Sequence, residues 1–195
     1  MTTAPAAVKA DLRRAALARR RALGGAARTA FSARLADEGL RLAKRYAARA
    51  VSAFHSFPDE PDTAPLLAAL AEAGFITLLP ITVAPGEPLV FRLWRPGDPT
   101  RPGRMNIPEP LPSAPAYDPD LLFAPLACFD RRGHRIGFGA GYYDLTLRAL
   151  RAKGRAIAVG VAYSVAECAD LPDEPHDERL DYVLTESELI DCRGP

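Results

Sequence analysis

Residues 129–150 read FDRRGHRIGFGAGYYDLTLRAL, with Gly137, Gly139 and Gly141 at alternate positions and Phe138 and Ala140 between them. A chain that loses every second side chain can bring backbone N–H groups close to a ligand and turn them toward an anion. Arg135 stands just before this loop, and Tyr142, Tyr143 and Asp144 follow it. Leu145, Leu147 and Leu150 then give an apolar side, and Arg148, Arg151 and Lys153 precede Gly154. Cations in a last turn followed by glycine mark a helix C-terminus. The N-terminus of that helix abuts the loop, where free N–H groups and the positive end of the dipole favour an anion. Asp144, in the first turn, can complement the dipole or hold a divalent metal against phosphate oxygens. Alone, the G-x-G-x-G pattern fits a phosphate cradle and an ordinary strand-to-helix turn equally well. It is neither the dinucleotide fingerprint G-x-G-x-x-G nor a Walker loop, since no G-K-S/T follows.

The elements that must position this loop are legible as apolar runs between breakers. Runs at 50–54, 75–80, 89–94, 121–126, 156–162 and 182–184 predict strands. Asp62 or Thr63 caps a helix through Leu66, Leu67 and Leu70 that stops at Gly74, so 50–80 is a βαβ unit with parallel strands. The proline-dense stretch from Pro96 to Pro119 predicts loop. The run at 121–126 is a central strand leading into the glycine loop. A doubly wound, mostly parallel α/β sheet with flanking helices follows, its ligand crevice at the carboxyl ends of the strands. His55 to Glu60, Asp130 to Gly141 and the segment from Tyr163 onward all follow predicted strands, so three segments converge there.

A chain of 195 residues, 48% hydrophobic, can bury one core, and a single domain over 1–195 is expected. No run of eighteen apolar residues occurs, which excludes a transmembrane helix and any membrane partner. Cys128, Cys168 and Cys192 are odd in number and lack C-x-x-C spacing, which argues against a disulfide framework or zinc knuckle and fits a reduced, cytoplasmic setting. Residues 1–49 carry twelve Lys/Arg against three Asp/Glu, a local charge of +9 that leaves −8 for the rest. This basic segment reads as two antiparallel helices, from near Lys9 to the Gly24-Gly25 break and from 29 to 49, packed as an arm on the sheet domain. A solvated helical face and an anion-binding face are both open for it. No aromatic residues interleave with its arginines, so no nucleic acid is expected as a partner.

Several stretches, in order along the chain, resemble the 5-formyltetrahydrofolate cyclo-ligase family. These are K-x-x-L-R at Lys9 to Arg13, E-x-x-T at Glu60 to Thr63, N-I-P-E-P at Asn106 to Pro110, F-D-x-x-G-x-R-x-G-x-G-x-G-Y-Y-D at Phe129 to Asp144, and P-x-x-x-H-D-x-x-x-D from Pro172 through His176 and Asp177 to Asp181. The resemblance implies a sheet like those of sugar-phosphate isomerases and coenzyme A transferases. It also implies the use of ATP and magnesium (Mg2+) to cyclise 5-formyltetrahydrofolate to 5,10-methenyltetrahydrofolate, releasing ADP and phosphate; a monomer is expected. Lys9, Arg13, Arg135 and the loop Gly137, Gly139, Ala140, Gly141, Tyr142 and Tyr143 would then hold ATP, and Asp144 and Asp177 would hold the metal. His55, Glu60, Phe138, Gly139, Ala140, Gly141 and Tyr142 would line the folate, with Arg135, Tyr142 and Asp144 acting in catalysis. The chain departs from common family forms at Ala140, where some relatives carry lysine, at Leu145, where many bacterial ones carry arginine, and at His55, where some carry an apolar residue.

Overall fold

The sequence Leu-Leu-Phe-Ala-Pro at β6 (Leu121–Pro125) alternates its side chains between two cores, and this two-faced burial organises the computed structural model, which describes residues 5–154 and 156–194. Leu121 and Phe123 face one core together with Val51 of β1 (Ala50–Ser52), Leu79 of β2 (Ile76–Ile81) and Ile157 and Val159 of β9 (Ile157–Val161). That core is covered by Phe31, Leu35 and Leu42 of helix α2 (Gly25–Arg45) and Leu66, Leu67 and Leu70 of α3 (Ala64–Glu72). Leu122 and Ala124 face the other, with Leu78, Ala158 and Val183 and with Leu147 and Leu150 of α4 (Tyr142–Lys153). The result is a mixed α/β fold of three layers, with the sheet in the middle.

Seven strands run β11-β10-β9-β6-β1-β2-β3, where β3 is Val90–Leu93, β10 is Tyr182–Leu184 and β11 is Leu189–Asp191. The five central strands are parallel, and β3 and β11 close the two edges antiparallel. From β1 the chain steps outward through α3 to β2, but β6 lies on the other side of β1 and the order continues away through β9 and β10. The direction reverses between β1 and β6, and such a switch point opens a crevice at the carboxyl ends of the strands.

The predicted βαβ unit is present, with Ala50 paired to Ile76. Its helix begins as an Asx turn: the Asp62 carboxylate accepts the Ala64 N–H at 3.0 Å, while the Thr63 hydroxyl turns inward to the Phe54 carbonyl. Gly74, at φ 86°, ends it in the left-handed region. One expectation fails. The proline-dense stretch is not all loop, because β4 (Thr100–Pro102) and β5 (Pro108–Pro110) pair antiparallel. Proline is tolerated in so short an isolated ribbon because ladder positions facing outward need no N–H. The basic segment forms two helices, as expected. Helix α2 is a core element packed on α3, whereas α1 (Pro5–Arg21) lies against the small hairpin of β7 (Cys128–Phe129) and β8 (Arg135–Ile136) and the turn at Ser164–Ala166. Ala16 and Leu12 of α1 share a third apolar cluster with Cys128, Ile136 and Leu171. No helix among the described residues is long and apolar enough to cross a membrane.

Helix α2 approaches α3 and the sheet through Gly39, where an added Cβ would stand 2.4 Å from Leu66 Cδ1 and 3.1 Å from the Phe123 ring. Gly39→Ala therefore overpacks this contact and lowers stability by about 1–3 kcal/mol, read as a lower urea midpoint at unchanged slope.

Candidate active site

The long FDRRGHRIGFGAGYYD segment divides into a half that builds a turn and a half that lines the crevice. Asp130 is fully buried; its Oδ1 accepts the N–H groups of Arg132 and His134, and its Oδ2 accepts the Arg132 guanidinium and the Leu171 N–H. Burial raises this carboxyl, but the Arg132 pair and the Leu171 and His134 N–H groups outweigh it and hold it below the ordinary carboxylate value. Gly133 completes the turn at φ 87°, and a Cβ there would meet the Leu180 carbonyl at 2.5 Å. This turn launches residues 137–141 toward the crevice.

Helix α1 crosses the far side of the loop. Arg13 Nε donates to the Gly137 carbonyl at 2.7 Å, and the guanidinium lies 3.7 Å from where a Cβ on Gly139 would stand. Gly139 has φ 98° and Gly141, the residue before α4, has φ 69°, conformations that disfavour other residues. No side chain caps α4. The free N–H groups of its first turn and the Arg13 cation thus share one neighbourhood, the arrangement an anion requires.

Two aspartates flank this end of α4. Asp144 Oδ1 accepts Arg135 Nη2 at 2.7 Å and the Glu178 N–H at 3.0 Å, and Arg135 also donates to the Glu178 carbonyl. Arg135, only 4% exposed, has its charge disfavoured by burial, which Asp144 and Asp177 offset only in part. Asp177 Oδ2 accepts Lys9 Nζ at 2.6 Å and the Glu174 N–H at 2.9 Å, and Lys9 also reaches Glu174 at 2.8 Å. Burial raises the Asp177 carboxyl, but Lys9 and the Glu174 N–H bring it below the ordinary value. Each aspartate has one oxygen fixed by the protein and a second that receives no hydrogen bond among the described residues. Such anchored carboxylates suit a hard cation. Glu174, His176 and Asp177 also lie within metal-ligand reach of one another.

Glu60 is the most unusual group. It is 2% exposed; Oε2 accepts the Phe57 N–H at 2.9 Å, while Oε1 is buried with no hydrogen-bond partner. Burial pushes its carboxyl up to about 7, against the Phe57 N–H and the Arg20 and Arg28 charges, which pull it down. The Tyr143 hydroxyl is driven well above its ordinary value by burial, with Glu60 adding and Arg135 opposing, which places Glu60, Tyr143 and Arg135 in one electrostatic neighbourhood.

The structure therefore gathers Lys9, Arg13, Arg135, the glycine loop, Tyr142, Tyr143, Asp144 and Asp177, with Glu60 facing them. Ala140 is exposed, and so is Phe138 at 46%. His55 is exposed at the start of the acidic loop. Cavities of about 300 and 330 Å³ lie elsewhere, one between β3 and the end of α4, the other between α2 and α3. Sequence reasoning missed Arg20, Glu174, Glu178 and Arg104, whose Nη1 donates to the Tyr142 hydroxyl at 2.9 Å. The signal for Arg20 was present: Lys9, Arg13, Ala16 and Arg20 recur at the spacing of a single helix face.

Fold and cleft together define a mixed α/β protein with an anion-directed glycine loop at the switch point of its sheet. The profile of the 5-formyltetrahydrofolate cyclo-ligase family matches residues 5–186. A 5-formyltetrahydrofolate cyclo-ligase of Mycolicibacterium smegmatis is 34% identical over 91% of this chain and 93% of its own. One of Haemophilus influenzae is 31% identical over 76% of this chain and 81% of its own. The structure of Aquifex aeolicus 5,10-methenyltetrahydrofolate synthetase superposes with a TM-score of 0.79 at 26% identity, covering 96% of this chain and 94% of that one. The chain belongs to the 5-formyltetrahydrofolate cyclo-ligase family and is an enzyme, a ligase of folate metabolism.

A carboxyl raised on folding stabilises the protein below its unfolded pKa and loses that contribution as pH rises through the folded one. For Glu60 that window runs from the ordinary value of 4.5 to about 7. Glu60→Gln should therefore be more stable than the parent at pH 8, on the order of 1–3 kcal/mol, with the gain disappearing by pH 4, read by urea unfolding at both pH values.

Proposed function

We propose that the enzyme cyclises 5-formyltetrahydrofolate to 5,10-methenyltetrahydrofolate with ATP, releasing ADP and phosphate, and that it works in the cytoplasm as a monomer on the free folate and nucleotide. The observation that carries the reading is the juxtaposition of two unlike sites. Glu60 presents a buried carboxylate oxygen that accepts no hydrogen bond and suits paired N–H donors, and the Arg13-backed glycine loop beside it presents donors suited to phosphate.

The chemistry explains why both are needed. A formamide oxygen is a poor leaving group. Attack of that oxygen on the γ-phosphorus expels ADP and forms a phosphorylated formamide, an activated carbon. The N10 amine then adds to this carbon, loses its proton, and phosphate leaves with the former formyl oxygen as the methenyl bridge closes. Little covalent work falls to the protein, so its part is alignment and charge neutralisation.

Glu60 orients the pterin by accepting its ring N–H groups, with Phe138 and His55 at the rim. Lys9, Arg13 and the N–H groups of residues 137–143 hold the phosphates. Arg135 fixes Asp144 and places positive charge behind the transferring group, and Tyr142, steadied by Arg104, lines the space between folate and nucleotide. Asp144 and Asp177 would hold magnesium through their uncommitted oxygens, and the ion supplies charge neutralisation at the phosphate oxygens. On this reading Lys9 exchanges its Asp177 contact for phosphate.

Protein supplied with magnesium, ATP and 5-formyltetrahydrofolate should develop the near-ultraviolet absorbance of the methenyl product in step with ADP release, and EDTA should abolish both. Asp144→Ala should reduce turnover roughly a hundredfold or more while leaving the far-ultraviolet circular dichroism unchanged. Lys9→Met and Arg13→Met should each raise KM for ATP about ten- to a hundredfold, as loss of a charge-assisted contact predicts. Folate turnover that persists without ATP would overturn the reading.

A further inference from the structure

Arg20 lies one helix face along from Lys9 and Arg13 but makes a different contact. Its side chain is 6% exposed, unusual for arginine, and three features converge on it. Its Nε and Nη2 donate to Asp59 Oδ2 at 3.1 and 3.0 Å, its Nη1 stands 3.7 Å from Glu60 Oε1, and its guanidinium carbon lies 5.8 Å from the centroid of the Phe138 ring. Arg20 thus ties the acidic loop to the glycine loop through one buried cation.

We propose that Arg20 is a positioning residue that favours the ionised form of Glu60 against its burial and aims it at the folate side of the cleft. The inference rests on the reading of Glu60 as the folate acceptor. A carboxylate buried without a hydrogen bond on one oxygen would take up a proton, and a protonated Glu60 loses half its acceptor capacity for paired N–H donors. The charges around it are Arg20 from α1, Arg28 from α2, Asp59 on its own loop, and Tyr143 of α4 with Arg135 behind it. Arg28 also donates to the Pro58 carbonyl, and Asp59 opposes ionisation of Glu60. Arg20 is the cation in direct ion-pair range of Glu60 Oε1. Its bond to Asp59 absorbs the neighbouring negative charge as well, and its contact with Phe138 fixes the distance between the two loops.

The test compares Arg20→Met and Arg20→Lys with the parent by the pH dependence of kcat/KM for 5-formyltetrahydrofolate at saturating ATP, a quantity that reports groups of the free enzyme. Taking the ratio of parent to variant at each pH cancels every other titration. Loss of a cation at this range raises the Glu60 midpoint by about one pH unit, so the ratio for Arg20→Met should be about five to ten at pH 6–7 and fall within about twofold of unity at pH 9. Arg20→Lys should lie between. An equal deficit at every pH would assign Arg20 a structural role only and overturn the proposal, as would no deficit. A double-mutant cycle of Arg20→Met with Glu60→Gln in urea unfolding at pH 6 and pH 9 reads the same coupling without substrate. Coupling that is larger at pH 9 is expected, and its absence overturns the proposal. Coupling in the cycle without a pH-dependent loss in kcat/KM would retain the Arg20–Glu60 link and remove Glu60 from folate recognition.

Discussion

The site depends on one constraint, that helix α1 lies across the carboxyl ends of the sheet. Its apolar contacts are few, chiefly Ala16 and Leu12 against Cys128, Ile136 and Leu171. Its polar contacts reach four different segments: Lys9 to Glu174 and Asp177, Arg13 to Gly137, Arg19 to the Val165 carbonyl and Arg20 to Asp59. Surface ion pairs contribute little to stability one at a time, but a helix that touches four loops fixes their mutual positions. The basic charge of the first 49 residues is therefore organising as well as anion-seeking.

Two acidic groups illustrate how burial divides structure from function. Asp130 and Glu60 are both almost fully removed from water. Asp130 has every acceptor direction used, by backbone N–H groups and Arg132, and its charge is favoured. Glu60 is half satisfied, and burial dominates it. A satisfied carboxylate shapes a turn. An unsatisfied one costs stability until donors reach it.

Legibility in the sequence followed the same division. Six of the seven sheet strands were readable as apolar runs between breakers, and residues 182–184 agree end to end, whereas β11, three residues ending in an aspartate, was not foreseen. The β4–β5 and β7–β8 hairpins were not, since two or three residues carry no period and proline hid the first of them. Helical periodicity in 1–49 showed that apolar faces existed but not what they met, which for α2 is the main core. Glu60, Asp144 and Asp177 were visible through resemblance. The Glu60 oxygen that accepts no hydrogen bond and the burial of Arg20 were not, because both arise from loops meeting across the switch point. The spacing of Lys9, Arg13, Ala16 and Arg20 was the available clue, and it gains meaning only once one face of α1 is known to be covered.

Ala140 and Leu145 sharpen the account of the glycine loop. The loop has no cation of its own between Arg135, which is buried against Asp144, and Arg148, which reaches Glu178 and the His176 carbonyl. The cation nearest its glycines is Arg13, lent by α1. Glycine at 139 then serves two ends, a positive φ that turns the loop and an open flank on which the guanidinium rests. The loop supplies direction through its N–H groups, and the helix supplies charge. Both are brought together by the docking of α1, which through Arg20 also reaches Asp59 and Glu60.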